Sequence, residues 1–123
     1  MSQNIMSKAT LETLLELSHF LGEENRQLAI LGEGNTSAKI DEETFLVKAS
    51  GSCLRTLTRD DLVSCRFDAL LPMIDHEEMS DQTIEESLLA SRVDRSAKKP
   101  SVETLFHAYL LSLNDVCFVG HTH

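Results

Sequence analysis

The sequence predicts one layered domain of the α/β or α+β class, in which helices pack on a β-sheet. Three observations predict this class: apolar residues recur at helical spacing in several segments, shorter segments between them have strand-like patterns, and two of these are joined by an acidic turn. The 123 residues, 41% hydrophobic and 25% charged, supply one core with an ordinary globular composition.

The N-terminal half contains a predicted helix followed by three predicted strands. Residues 10–22 have apolar side chains at helical spacing, and Gly22 is suited to end the helix. The acidic turn 41–43 joins the first two strands into a hairpin, and a helical turn over 58–62 precedes the third. The strands are predicted over 36–40, 44–49 and 62–67.

The C-terminal half contains two predicted helices and a final strand. Residues 68–80 lack a regular pattern and are expected to be irregular, and 94–99 is expected to be a basic loop. A helix is predicted over 81–93, with Asp81 as its cap. Pro100-Ser101 signals a second helix, through about residue 113, and 116–121 is an apolar strand. The second helix is expected to bury Val102, Leu105, Phe106, Tyr109, Leu110 and Leu113.

Charge and composition exclude several classes of partner. The net charge of −9 argues against nucleic acid and anionic membranes, which both attract basic surfaces. The first eight residues lack the apolar run of a signal peptide, and no stretch reaches the length of a membrane-spanning helix. The three cysteines, an odd number with no close pair, fit reduced thiols, so a cytoplasmic protein is expected.

Three short segments have the residues of an anion site. Gly34-Asn35-Thr36-Ser37 combines a glycine with side-chain donors, Ala49-Ser50-Gly51-Ser52 has backbone N–H groups that could form a nest, and Pro100-Ser101-Val102-Glu103 begins a helix. Each alone also fits an ordinary turn or helix start. Glu103 alone fits a surface glutamate that complements the helix dipole, and His107, one turn later, could approach it.

The segment His121-Thr122-His123 has the spacing of a metal chelate. Two histidines two positions apart on a strand project from the same face, so both imidazoles can reach one cation. A chance pair or a solvated tail fits the spacing equally well. A zinc site in a protein normally has at least three protein ligands.

In their order, these segments resemble the class II aldolase/adducin family, from about residue 11 to residue 123. That family includes sugar-phosphate aldolases of the fuculose and rhamnulose type, an epimerase and a dehydratase. The segments are Gly34-Asn35-Thr36-Ser37, Lys48-Ala49-Ser50-Gly51, Lys99-Pro100-Ser101-Val102-Glu103 with His107, and Val119-Gly120-His121-Thr122-His123. The resemblance implies a three-layer α/β/α fold with a central, mainly antiparallel sheet.

The resemblance also implies a role for particular residues. His121 and His123 match the family's two metal ligands on the His-x-His strand, with zinc or another divalent metal as the cofactor. Glu103 matches the catalytic acid and base beside the metal. The positions that match the family's phosphate-binding residues are Gly34, Asn35, Ser50, Gly51 and Ser101.

The function implied is metal-dependent cleavage of a ketose phosphate, with zinc stabilising the enediolate that forms. Two alternatives stay open on this fold: a non-catalytic, adducin-like binding module, and a sugar-phosphate epimerase or dehydratase. The family's epimerases resemble one another in having aspartate at the acidic position, so Glu103 favours the aldolase or dehydratase. A homo-oligomer, a tetramer by resemblance, is expected.

The sequence departs from the family pattern at its C-terminal end. The family's third metal-binding histidine lies downstream of His-x-His, and none of His19, His76 and His107 occupies the matching place. The family's last strands and helices also lie beyond that point. We therefore expect residues 1–123 to form one class II aldolase/adducin-like domain that is C-terminally incomplete.

Overall fold

The computed structural model describes residues 2–23, 26, 34–74 and 79–122. Within this part, two 3₁₀ turns, Leu54–Thr56 and Arg59–Asp61, precede the third strand. The predicted helix, hairpin, third strand and final strand are all present. The helices and strands are α1 (Ser2–Leu21), β1 (Asn35–Lys39), β2 (Thr44–Lys48), β3 (Leu62–Arg66), α2 (Phe67–Ile74), α3 (Asp81–Ala90), α4 (Thr104–Leu111) and β4 (Phe118–His121).

The four strands form one sheet in the order β3-β2-β1-β4, and every neighbouring pair is antiparallel. The β1–β2 pair is the predicted hairpin, in which Ser37 lies opposite Val47. On its other side β1 pairs with β4, so that Asn35 lies opposite His121. This pairing joins the two segments that the sequence assigned to phosphate and to metal.

Helices cover both faces of the sheet, because neighbouring residues of β1 contact different helices. Thr36 shares a hydrogen bond of 2.7 Å between hydroxyls with Ser18 of α1. The next residue, Ser37, bonds to His107 of α4 on the opposite face. Helix α2 packs on α3 and α4, so these three helices form one layer and α1 forms the other. The predicted three-layer α/β/α architecture is confirmed.

The main core lies between the sheet and the layer of α2, α3 and α4. The Phe45 and Phe67 rings pack with their centroids 4.8 Å apart. The same cluster contains Leu70 of α2, Leu88 of α3 and Leu111 of α4, all buried. One side chain from each helix therefore anchors that helix to the sheet.

The prediction that residues 68–80 are irregular is wrong for its first part, because α2 begins at Phe67. Phe67, Leu70 and Met73 recur every three residues and are buried in the core, and this burial offsets the presence of Pro72 inside the helix. The short apolar face of α2 was not recognised in the sequence, because acidic residues surround it. Residues 75–78 lie outside the described part of the chain.

Helix α3 is capped by Ser80, not by Asp81 as predicted. The Ser80 hydroxyl accepts a hydrogen bond from the Thr83 N–H at 3.1 Å, whereas Asp81 lies in the first turn. The helix ends at Ala90, before the predicted residue 93, because the chain then bonds to β3. The Arg66 N–H donates to the Ser91 carbonyl at 2.8 Å, so this edge of the sheet is partly covered.

The prediction for the buried face of α4 is also wrong. The side chains that face the sheet are Thr104, His107, Ala108 and Leu111. Leu105 is half-buried, and the other five side chains expected in the core are exposed. These five, which we call the outer face of α4, are Val102, Phe106, Tyr109, Leu110 and Leu113. Because α4 is apolar on both sides, periodicity could not show which side packs on the sheet.

No helix in the described part of the chain is long and apolar enough to cross a membrane.

Candidate metal and phosphate site

Glu103 and His121 form the centre of the candidate site. Glu103 immediately precedes α4 and His121 ends β4, and the Glu103 Oε2 to His121 Nδ1 distance is 3.0 Å. Their side chains are 26% and 38% exposed, so the pair lies at the rim of the domain. An imidazole that donates its Nδ1 proton to a carboxylate has its lone pair on Nε2, the form in which histidine binds metals.

Only part of the expected metal ligand set lies in the described residues. His123 is outside them, and no group of three or more His, Cys, Asp or Glu side chains in residues 2–23, 26, 34–74 and 79–122 could hold a metal ion. His121 with its carboxylate partner has the donor chemistry that a divalent cation requires. The described residues therefore fit a cation as part of its ligand set.

Asn35 and Ser101, two predicted phosphate positions, are in contact. The Asn35 Nδ2 donates to the Ser101 Oγ at 2.8 Å. Asn35 is fully buried, and its Oδ1 has no hydrogen-bond partner in the described part of the chain. Because β1 also pairs Asn35 with His121, this contact lies directly beside the Glu103–His121 pair.

Of the other three phosphate positions, Ser50 and Gly51 lie in a turn, and Gly34 immediately precedes β1. Gly34 and Gly51 have φ angles of 117° and 84°, in the left-handed region that other residues rarely adopt. The Ser50 N–H donates to the Lys99 carbonyl at 2.8 Å, which holds this turn against the segment that leads to Ser101. The predicted nest is thus smaller than expected, since the Ser50 N–H is already paired.

Two buried polar residues near the site were not assigned a role from the sequence. Lys48 is 6% exposed and donates from its Nζ to the Ser52 carbonyl at 2.6 Å. Burial lowers the pKa of Lys48, and attraction to the Glu103 carboxylate opposes this effect. The sequence signal was the position of Lys48 directly before the segment 49–52, but its burial depends on the sheet.

His107 is the second such residue. It is 1% exposed, its Nδ1 lies 2.5 Å from the Ser37 Oγ, and its ring centroid lies 6.3 Å from that of His121. Burial and repulsion from His121 lower the pKa of His107 to about 4, although Glu103 acts in the opposite direction. In the sequence, the one signal for a role of His107 was its position four residues after Glu103.

A protein family and a solved structure are similar to this chain. The family model described as "Class II Aldolase and Adducin N-terminal domain" matches residues 12–123. The structure of the N-terminal class II aldolase domain of a conserved protein from Thermoplasma acidophilum is similar, with a TM-score of 0.78 and 31% identity, over 92% of this chain and 54% of that chain.

A relative in sequence is the uncharacterized oxidoreductase YuxG of Bacillus subtilis (strain 168), 32% identical over 120 residues. The match covers 91% of this chain and 17% of YuxG. The chain thus spans about one sixth of this relative and about half of the solved protein. Members of the matching family typically use a divalent metal. The chain belongs to the class II aldolase and adducin N-terminal domain family.

Proposed function

We propose that this domain carries the metal and phosphate subsites of a class II aldolase that cleaves a ketose phosphate. The observation that supports this most directly is the Glu103–His121 contact of 3.0 Å beside the Asn35–Ser101 contact of 2.8 Å. A proton-transfer group, a metal-type imidazole and anion-binding donors then lie along one edge of the fold, as retro-aldol cleavage requires.

Each residue has a defined part in this proposal. His121, together with His123, would hold the divalent metal. The chemistry that such a cation supplies when bound is stabilisation of the negative charge left on the ketose fragment. The Glu103 carboxylate accepts the substrate hydroxyl proton and returns a proton to carbon. Asn35, Ser101 and the turn around Ser50-Gly51, with Gly34 shaping the first loop, bind the phosphate and so orient the reacting carbons.

The alternatives make different predictions for the same residues. An adducin-like binding module has no need of a carboxylate paired to the imidazole, so the Glu103–His121 contact favours an enzyme. An epimerase or dehydratase on this scaffold would use the same subsites and release no aldehyde. The Bacillus relative is named an oxidoreductase, and this chain matches 17% of that protein.

The direct test combines metal analysis with a panel of ketose phosphates. We expect the purified protein to take up zinc, cobalt or manganese, and to release dihydroxyacetone phosphate and an aldehyde from one panel member. Glu103→Gln should abolish turnover and keep the metal content. Glu12→Gln, the same change at an exposed position of α1, is the matched control. No metal above background, or full activity of Glu103→Gln, would contradict the proposal.

We also propose that the domain is a homo-oligomer in solution that associates through the outer face of α4. Phe106 is 67% exposed there and Tyr109 49%, and an apolar cleft of about 600 Å³ lies between α4, α2 and α3. The outer face exposes roughly 450 Å² of mostly apolar surface, taking about 150–250 Å² for a whole aromatic side chain. If this apolar surface makes up about 60% of an interface, the whole interface covers roughly 750 Å² per partner, which is the size of a standard interface.

Charge supports a second copy as the partner on this surface. The chain has a net charge of −9, so two copies repel except where they meet through uncharged residues. The five side chains of the outer face include no Asp, Glu, Lys or Arg. Light scattering after size exclusion should give a multiple of 13.7 kDa. Phe106→Glu should reduce the mass to that of a monomer, and Phe20→Glu, at an exposed position of α1, should not. A monomeric parent would refute this part.

A cytoplasmic location completes the proposal. Cys53, Cys65 and Cys117 are all free thiols in the structure, which supports a reducing compartment.

A further inference from the structure

We propose that Ser37 and His107 form a positioning pair that holds Glu103 and His121 in contact. His107 then acts on the site indirectly, because it fixes the backbone of Glu103 and the ring of His121. This inference deepens the proposed function and rests on it for the catalytic consequence. The structural part can be tested without turnover.

The pair connects the two elements that carry Glu103 and His121. Ser37 lies on β1 opposite Val119 of β4, two residues before His121. His107 lies on α4 one turn after Glu103, and its backbone N–H donates to the Glu103 carbonyl at 3.3 Å. The 2.5 Å contact between the Ser37 Oγ and the His107 Nδ1 therefore ties the start of α4 to the strand pair that ends at His121.

Burial makes this contact rigid, in contrast to the pair it supports. Ser37 is fully buried and His107 is 1% exposed, so water does not compete for their hydrogen bond. Glu103 and His121 are 26% and 38% exposed, and water can compete for theirs. The buried bond thus supplies the fixed geometry that a partly exposed contact lacks by itself.

The hydrogen-bond inventory selects one tautomer of His107. The Ser37 hydroxyl has one proton, and its hydrogen-bond partner in the structure is the His107 Nδ1. If the hydroxyl donates to Nδ1, that proton is satisfied and the ring proton is on Nε2. This tautomer leaves one buried group without a partner among the described residues, the Nε2 proton, whereas the opposite tautomer leaves two, the Ser37 hydroxyl proton and the Nε2 lone pair. We therefore assign Nδ1 as the acceptor.

The His107 ring also limits where His121 can move. The two rings are 6.3 Å apart with 45° between their planes, and both border a cleft of about 320 Å³ lined also by Phe106, Leu110 and Val119. If the side chain at position 107 were not held by Ser37, the His121 ring could turn into this cleft and leave the Glu103 carboxylate. Position 107 therefore needs a side chain that keeps the bond to Ser37.

The test compares two variants that each retain one side of the imidazole. His107→Asn places an amide where Nδ1 lies and preserves the bond to Ser37. His107→Gln places its amide at the position of Nε2 and loses the bond to Ser37. Ser37→Ala removes the bond from the other side. The main readout is the ¹⁵N chemical shifts of the His121 ring in the metal-free protein, with thermal melts to confirm that each variant is folded.

We expect His107→Asn to preserve the His121 shifts, and His107→Gln and Ser37→Ala to change them. Isothermal titration with Zn²⁺ alone should show an affinity loss of roughly 10-fold to 100-fold for the last two, as for lost partners of metal ligands. If His107→Gln fails to fold, Ser37→Ala gives the result alone. Unchanged His121 shifts in folded Ser37→Ala, or normal shifts in His107→Gln with altered shifts in His107→Asn, would overturn the inference.

The outcome separates this inference from the proposed function. Altered His121 shifts in Ser37→Ala together with no turnover of any ketose phosphate by the parent would support the positioning pair and refute the aldolase. Turnover by the parent together with unaltered His121 shifts in Ser37→Ala would support the aldolase and refute the positioning pair.

Discussion

Replacing Gly22 by alanine should destabilise the domain strongly, for a reason that the sequence does not show. Gly22 follows α1 as predicted, but its φ is not among the positive values that favour glycine, which occur at Gly34 and Gly51. A Cβ at Gly22 would lie 2.3 Å from the Arg55 nitrogen and 2.8 Å from the Leu54 carbonyl carbon. Glycine is needed here because α1 packs directly against the backbone of the 3₁₀ turn Leu54–Thr56.

The size of the effect follows from these distances. Ordinary contacts of a Cβ begin near 3.4 Å, so the 3₁₀ turn must retreat by about 1 Å, and it carries the fully buried Leu54. Overpacking costs about 1–3 kcal/mol, and the upper end applies because the obstructing atoms are backbone atoms. For a domain of this length a loss of about 3 kcal/mol lowers the melting temperature by roughly 10 °C.

Urea and thermal denaturation followed by circular dichroism would measure this loss. Gly120→Ala is the matched control, since its Cβ meets the flexible end of a side chain, the Leu21 Cδ1, at 2.9 Å. We expect the control to lose less than about 1 kcal/mol, because a side-chain end can move aside. Equal losses, or a loss below about 0.5 kcal/mol for Gly22→Ala, would refute the reasoning.

Three further predictions test the cap of α3, a buried thiol and a buried imidazole. Ser80→Ala should lower the free energy of unfolding by about 1 kcal/mol in urea denaturation, because Ser80 is the cap. Asp81→Ala should lower it clearly less, and equal losses for the two variants would contradict this. At pH 8, Ellman's reagent should label Cys117 in the folded protein and Cys65 only after unfolding, because burial raises the Cys65 pKa to about 11; rapid native labelling of Cys65 would count against it. With the His107 pKa at about 4, the unfolded chain binds a proton between pH 6.5 and 4 that the folded chain does not. Stability should therefore fall by up to roughly 3 kcal/mol as the pH is lowered through this window, and His107→Asn should remove that part of the slope; an unchanged slope would refute it.

The strands were predictable because their signals are local. In the hairpin, the turn 41–43 is stabilised by Asp41, whose Oδ1 accepts from the Glu43 and Thr44 N–H groups within the same turn. Such contacts join residues a few positions apart, so a short stretch of sequence contains all the information they need.

The helices on the core side were less predictable, since their boundaries depend on distant partners. Helix α3 stops early because Ser91 bonds to Arg66 of β3, and α2 forms because Phe67 packs on Phe45. For α4 the two apolar sides compete for the sheet, and the small Ala108 lets the side with His107 pack closely. The larger side, with Phe106, remains outside.

The candidate site divides in the same way. The sequence by itself determined which metal-binding and anion-binding residue types are present and in what order. It thereby indicated the family, because Glu103, His121 and the glycine-containing segments belong to short motifs. Only the tertiary structure decided which groups meet. The β1–β4 pairing places Asn35 opposite His121, and the α4 packing turns His107 inward and Glu103 toward His121. The physical reason is that side-chain chemistry belongs to each residue, whereas contact and burial depend on segments far apart in the chain.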